Sequence, residues 1–540
     1  VNATEIKFTG NKLTAIGNRA FENCDYLETI TLSDGVTSIG DEAFWFCEKL
    51  QTINLPYTIE TLGDDMLNKC YSLQAINVAE GCAKYSTFGG ILYENKDGAP
   101  SVLVLCPTLN SGDEENKVII PNTVIEVKDS AFVDNNGIVT IEFTDYDPDF
   151  MAKNELRLGE GLFIGAKTLE TVKLPKGLKQ IPSGAFTGIG TVYYKNVVVP
   201  NTVTMINEDA FGYSLESVTF EEGNTDAPLT IADAKSSSKG VFAKATKLQQ
   251  VIFPERTKVI GKYAFATSGG LRQLNYVYIP STVTTIGQYA FQGQSKLLNV
   301  VFGEGIKLAK IDNYVFQNCT LLGSNGNFQI PSSVKTIGNF AFSGTGLKSL
   351  TLSSNVSSIG TNAFEKCLNL DTVTINSSKL SIGKAAFNGC VKLSDVTLPE
   401  GLTSIGETSF AGTAIKNVTI PSSVTTIDKQ AFKDSTLGAN NGKIIFALNG
   451  DGKSALSKIG DEAFAGTKLS EFALPETTGS LALGAKIFKG CLALTKVHIS
   501  SSVTDIGTAF DGGIEITDVE VDGDKFMVTG GMLTNVKSDK

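Results

Sequence analysis

A unit of 22 or 23 residues, seen cleanly from Gly35 to Pro56 (GVTSIGDEAFWFCEKLQTINLP), recurs from one end of the chain to the other. Its Phe marks the period at 21, 44, 132, 163, 186, 211, 242, 265, 291, 316, 342, 364, 387, 410, 432, 464, 488 and 510, and Leu67 fills the slot once. A short unit of this kind cannot bury its apolar face alone; it stacks on its neighbours as one turn of a solenoid. The 540 residues are therefore read as a single solenoid spanning 1–540, not as the three or four globular domains that length alone suggests.

Within one unit, Leu50-Gln-Thr-Ile53-Asn-Leu55-Pro56 places Ile53 and Leu55 two apart, the period of a short strand. Pro56 has no N–H to extend the ladder. Val36-Thr-Ser-Ile39 reads as a second short β segment, and Asp41-Glu-Ala43-Phe44 as a tight helical turn that sends a large ring inward. The expected fold class is a β-rich solenoid: a curved, right-handed stack of about twenty coils. A parallel sheet would line its concave face, with short β or 3-10 segments on the convex side. Between Leu67 and Phe132 the period fails, and 79–116 reads as an inserted β-hairpin. Lys84–Tyr93 and Ser101–Leu105 would be its strands, joined around Asn95–Gly98. Lys525–Leu533 repeats the start of that hairpin, so 520–540 reads as a second copy, truncated before its return strand.

Acidic residues outnumber basic ones 57 to 46, giving a net charge of −11. No basic stripe of the kind a nucleic-acid binder carries is present. No run approaches the ~18 apolar residues of a membrane helix. The chain starts at Val1 with no signal segment, which reads as a processed or truncated chain. Nine cysteines look like a disulfide framework, but seven of them (Cys24, Cys47, Cys70, Cys319, Cys367, Cys390, Cys491) each follow the anchor position by three residues. They form one inward column, expected as buried free thiols. Cys82 and Cys106 lie outside it and leave a bridge open. With one His and no CxxC pair, no metal site is expected.

The pattern I-x-x-x-A-F-x-x-C-x-x-L-x-x-V-x-L-P resembles the BspA-like, treponemal-type leucine-rich repeats of bacterial surface proteins, over essentially the whole chain. Ser409 and Val315 depart from its Ala, and Thr, Gly or Ala often stands for its Cys. The resemblance implies a place at the cell surface or outside the cell, and adhesion to a protein or glycan, host extracellular matrix included.

Weighed residue by residue, catalysis finds little support. His498 occupies an outward strand position with no orienting carboxylate or nucleophile specified by the repeat. Asn449–Ser454 mimics a phosphate loop, but Ala447 stands where that motif needs Gly. Asp145, Asp147 and Asp149 alternate like a calcium loop, yet Pro148 interrupts them and Phe150 follows where such loops need a Gly turn, so a solvated loop is expected. Trp45, the only Trp, is read as edge packing near the N-terminal end, with a second binding anchor as the alternative. The outward strand column is more informative. It holds short polar residues such as Thr31, Asn54, Thr351 and Thr374, but changes mid-chain to Val198, Ile252, Tyr278 and Val301, with Gln250 and Tyr276 beside them. Such groups on a sheet suit a protein interface. The expectation is a non-enzymatic binding or adhesion protein, monomeric and without cofactor, that uses these six residues. The alternative is a structural stalk presenting another domain.

Overall fold

The computed structural model describes residues 3–144, 154–188, 194–223, 227–267, 272–512, 516–522, 526–529 and 532–535. The chain falls into two compact units, Val1–Thr257 and Lys258–Lys540. Both are built as β-solenoids of parallel strands.

Each coil carries one strand of three or four residues and one of two. In the first unit the longer strands Glu5–Lys7, Thr29–Thr31, Thr52–Leu55 and Ala75–Val78 pair in parallel, each residue beside its repeat equivalent. The two-residue strands Ala15–Ile16, Ser38–Ile39 and Thr61–Leu62 form the second ladder. In the second unit the short ladder runs without a break through eight strands, from Lys310–Ile311 to Ala482–Leu483. Longer strands Ser349–Leu352, Thr372–Ile375 and Asp395–Thr397 pair beside it. Because inward residues repeat every second position, register is pinned: a slip of one would expose Val373 and bury Thr374.

The anchor rings queue as the period predicts. Phe21 and Phe44 stack at 5.2 Å and 5°. In the second unit, successive rings from Phe342 to Phe410 lie 5.2–5.4 Å apart and within 5° of parallel. Burying one such ring stabilises by ~1.5–3 kcal/mol, and each ring pair adds ~0.5–1.5 kcal/mol.

The stretch read as a helical turn is not helical. Residues two before and two after the anchor adopt left-handed backbone: Glu42 and Phe46 around Phe44, Asn362 and Lys366 around Phe364. Trp45 donates to the Glu42 carbonyl and Cys47 to that of Phe44, three residues back each time. These are successive turns that a left-handed residue keeps from joining into a 3-10 helix. One 3-10 segment, Ala439–Asn441, exists among the described residues.

Where the period fails, three antiparallel strands appear: Tyr85–Phe88, Ile91–Lys96 and Ala99–Leu105. The Lys84–Tyr93 segment is thus itself folded back at Gly89-Gly90, both with positive φ, as Asp97-Gly98 are at the second turn. Two-residue loops with positive φ at both positions match the strands' right-handed twist. Ala99–Leu105 then rejoins the short ladder, with Val102 beside Glu126. Near the C-terminus Phe526–Thr529 pairs antiparallel with Met532–Asn535.

Candidate ligand-binding faces

Strand pleating decides which side chains a partner can meet. In the first unit Val197 is buried while Val198 is 50% exposed, and Val251 is buried while Ile252 is 55% exposed beside an exposed Gln250. Val198 sits opposite Thr219 in the ladder. In the second unit Val277 and Val300 point inward; Val301 is 41% exposed, with Tyr276 and Tyr278 half-buried. Tyr278 lies opposite Val301, and Tyr276 opposite Asn299. Of the six residues, Val198, Gln250 and Ile252 belong to the first unit and Tyr276, Tyr278 and Val301 to the second.

In the N-terminal coils the column satisfies itself. Asn54 Nδ2 donates to Thr31 Oγ1 at 3.0 Å, and Asn77 Nδ2 to Asn54 Oδ1 at 2.8 Å. Lys117 pairs with Glu142 at 2.8 Å, so that the Glu142 carboxyl is held below its ordinary value by the lysine's hydrogen bond. Two further outward aliphatic residues escaped the sequence reading: Ile119 and Ile445, 46% and 54% exposed. Both are the middle residue of an unbroken apolar run, Val118-Ile-Ile120 and Ile444-Ile-Phe446. That run was the available signal.

A second feature was also missed. Tyr263, Tyr289, Tyr314 and Phe340 each stand two residues before an anchor Phe. Their rings stack at 4.8, 4.6 and 5.0 Å along the turn edge of the second unit. All four have left-handed backbone, costly for a bulky residue, which the stacking offsets. In the first unit Trp45 packs edge-on to Phe46 at 5.0 Å, with Lys69 Nζ 4.9 Å from its ring centroid. That is edge packing held by a cation–π contact.

Groups with chemical potential are occupied otherwise. His498 Nε2 lies 3.0 Å from Asp522 on the outward face. Asn449 Oδ1 accepts from the Asp451 and Lys453 amides, closing the loop on itself. All nine cysteines are unbridged. Burial pushes the Cys106 and Cys319 thiols well above their ordinary range, away from the thiolate a nucleophile needs. Among the described residues, no three His, Cys, Asp or Glu side chains converge to hold a metal ion. Asp145, Asp147 and Asp149 lie outside the described residues. No described helix is long and apolar enough to cross a membrane.

The sequence matches the profile of the BspA-type leucine-rich repeat region over residues 1–90, 111–227, 232–326, 323–438 and 452–530. Among solved structures, a leucine-rich cell-surface protein from Faecalibacterium prausnitzii is 20% identical, over 69% of this chain and 88% of that one, with a TM-score of 0.35. A leucine-rich-repeat protein from Bacteroides ovatus is 19% identical over 96% and 92%, with a TM-score of 0.31. The pneumococcal vaccine antigen PcpA is 18% identical over 68% and 71%, with a TM-score of 0.34. No curated protein matches the sequence.

Proposed function

The chain belongs to the BspA-type leucine-rich-repeat family, and from that premise we propose that it is a non-enzymatic binding protein of the cell surface or the extracellular space. Its ligand is a protein or glycan, host extracellular matrix included, held on the faces of the longer strands. One observation carries this reading. A column that holds short polar residues in many coils turns apolar and aromatic at Val198 and Ile252 on one unit and at Tyr278 and Val301 on the other, with Gln250 and Tyr276 beside them. Exposed aliphatic and tyrosine side chains gain from desolvation by a partner and lose little rotamer entropy in doing so.

The test is adherence of the chain to immobilised purified matrix proteins and glycans, compared with a variant carrying Ile252→Asp and Tyr278→Asp. Two buried charges at an interface weaken binding by at least about tenfold. Both positions face outward, so the unfolding midpoint stays unchanged. Full adherence by the folded variant contradicts the reading and favours a stalk that presents another domain.

A further inference from the structure

In the N-terminal coils of the first unit, the turn of the earlier coil donates three backbone N–H groups to the later. Arg19, Phe21 and Asn23 donate to the Asp41, Ala43 and Trp45 carbonyls at 2.8–3.0 Å; Glu42, Phe44 and Phe46 donate to Asp64, Met66 and Asn68 at 2.8–3.1 Å. A side-chain ladder runs alongside, with the Asp41 amide on Asn18 Oδ1 and the Asp64 amide on Asp41 Oδ1, both at 3.0 Å.

At the next coil the ladder stops. The antiparallel strands replace its turn, and the chain crosses instead as Val104–Thr108. Among the described residues, the Asp65, Leu67 and Lys69 amides meet no protein acceptor, and the Asp64 carboxylate receives no amide. On the far side the Cys106 amide reaches the Ala131 carbonyl at 2.8 Å, and those of Asp129 and Val133 have no donor among the described residues. An open cleft of about 1580 Å³ separates the walls, lined by ten carboxylates and five cationic side chains. Three of those cations are already tied, Lys128 to Glu126 at 3.9 Å, Lys235 to Glu208 at 3.3 Å and Lys239 to Asp209 at 2.9 Å, and Lys69 Nζ lies over the Trp45 ring.

We propose that this cleft binds an extended segment of a basic polypeptide. In an extended chain, alternate carbonyls face one way, so a single strand presents acceptors at the two-residue spacing of the Asp65, Leu67 and Lys69 amides. Its Lys or Arg side chains meet Asp64, Asp65 and Asp129. A polyanion is disfavoured by the surrounding carboxylates. A bare cation cannot use the three amide donors. A basic peptide satisfies both halves of the wall, by strand addition with charge complementarity. This site lies on the turn side of the coils, apart from the faces proposed above.

The experiment is hydrogen exchange of the full chain with a short peptide alternating lysine and valine, with its glutamate–valine counterpart, and with calcium alone. Amides 65, 67 and 69 exchange fast in the free protein, and the lysine peptide slows them while the glutamate peptide does not. Fluorescence anisotropy of the labelled lysine peptide gives an affinity that Asp64→Lys with Asp65→Lys weakens by about tenfold or more. Lysine is tolerated at the left-handed position 65, as Lys486 occupies its equivalent two residues before Phe488. No binding, binding that leaves the three amides fast, or equal slowing by calcium alone overturns the proposal. The exchange comparison on the unaltered chain stands even where the variant is unstable.

Discussion

At the scale of single residues, the cysteine column shows why a thiol recurs where other small residues would fit. Six of its members donate Sγ–H to the anchor carbonyl of the preceding coil: Cys47, Cys70, Cys319, Cys367, Cys390 and Cys491, to Phe21, Phe44, Phe291, Phe342, Phe364 and Phe464, at 3.0–3.2 Å. Gln294, in the same column, donates to the Phe265 carbonyl instead. Shorter hydroxyl side chains do not reach: Ser435 Oγ is buried without a partner, and Thr345 and Thr413 turn back to the carbonyl of their own coil. Cys390→Ala is therefore expected to cost about 1–2 kcal/mol, from the lost hydrogen bond and the small void. Cys390→Ser is expected to cost more, since it buries an unsatisfied hydroxyl. Urea unfolding of both variants checks the order; a serine variant more stable than the alanine one contradicts it. The column itself was legible from its spacing, and so was its inward direction. Its hydrogen-bonding role was not, because the acceptor lies 26 or so residues away and belongs to a different coil.

At the scale of the element, the turn is where sequence and structure part. The inward Ala and Phe of Asp-Glu-Ala-Phe were readable, but the flanking left-handed residues were not. Arg19, Glu42, Asp65, Tyr289 and Ala385 share that backbone without sharing any chemistry. The ladder between coils, not local propensity, holds them there. The interrupted coil reads from sequence as an inserted hairpin for a related reason: its spacing announces strands, but not the amides they leave unpaired. The outward positions of Val198 and Ile252 followed from alternation alone, whereas Ile119 was hidden inside an apolar run that gives no period. Two glycines separate the costs of the turn. A Cβ at Gly412, with φ +67, meets nothing closer than 3.9 Å, so Gly412→Ala pays only the left-handed penalty of ~1–2 kcal/mol. At Gly401, with φ +94, a Cβ would stand 1.7 Å from the Ser378 carbonyl oxygen. Gly401→Ala must also move backbone between coils, and its denaturation midpoint is expected to fall well below that of Gly412→Ala. Equal midpoints would argue that the coils are not in the contact described.

At the scale of the whole molecule, stability is the sum of many equivalent contacts between neighbouring coils, under a net charge of −11. Some carboxylates contribute to those contacts. Glu476 accepts the Ser501 amide and the Ser502 hydroxyl of the next coil at 2.8 Å each, and the Ser502 bond foremost holds its carboxyl below the ordinary value of 4.5. A depressed folded value means stability that is fully present above about pH 4.5 and lost as pH falls through that lower value. The urea midpoint should accordingly fall below that pH, and Glu476→Gln should flatten the slope; an identical slope in the variant removes Glu476 from the account.

The central claim, that each repeat is one interchangeable coil whose side chains queue in register, is tested most directly by deletion. Removing Gly383–Ile405 joins Ile382 to Gly406, takes out one whole coil, and brings Phe364 into stacking position on Phe410. Circular dichroism and urea unfolding of that chain should show the β signal and a cooperative transition retained. Removing only Gly383–Lys392 cuts the coil short of its longer strand and should abolish both for the second unit. A whole-coil deletion that unfolds the second unit as thoroughly as the partial one would contradict the account.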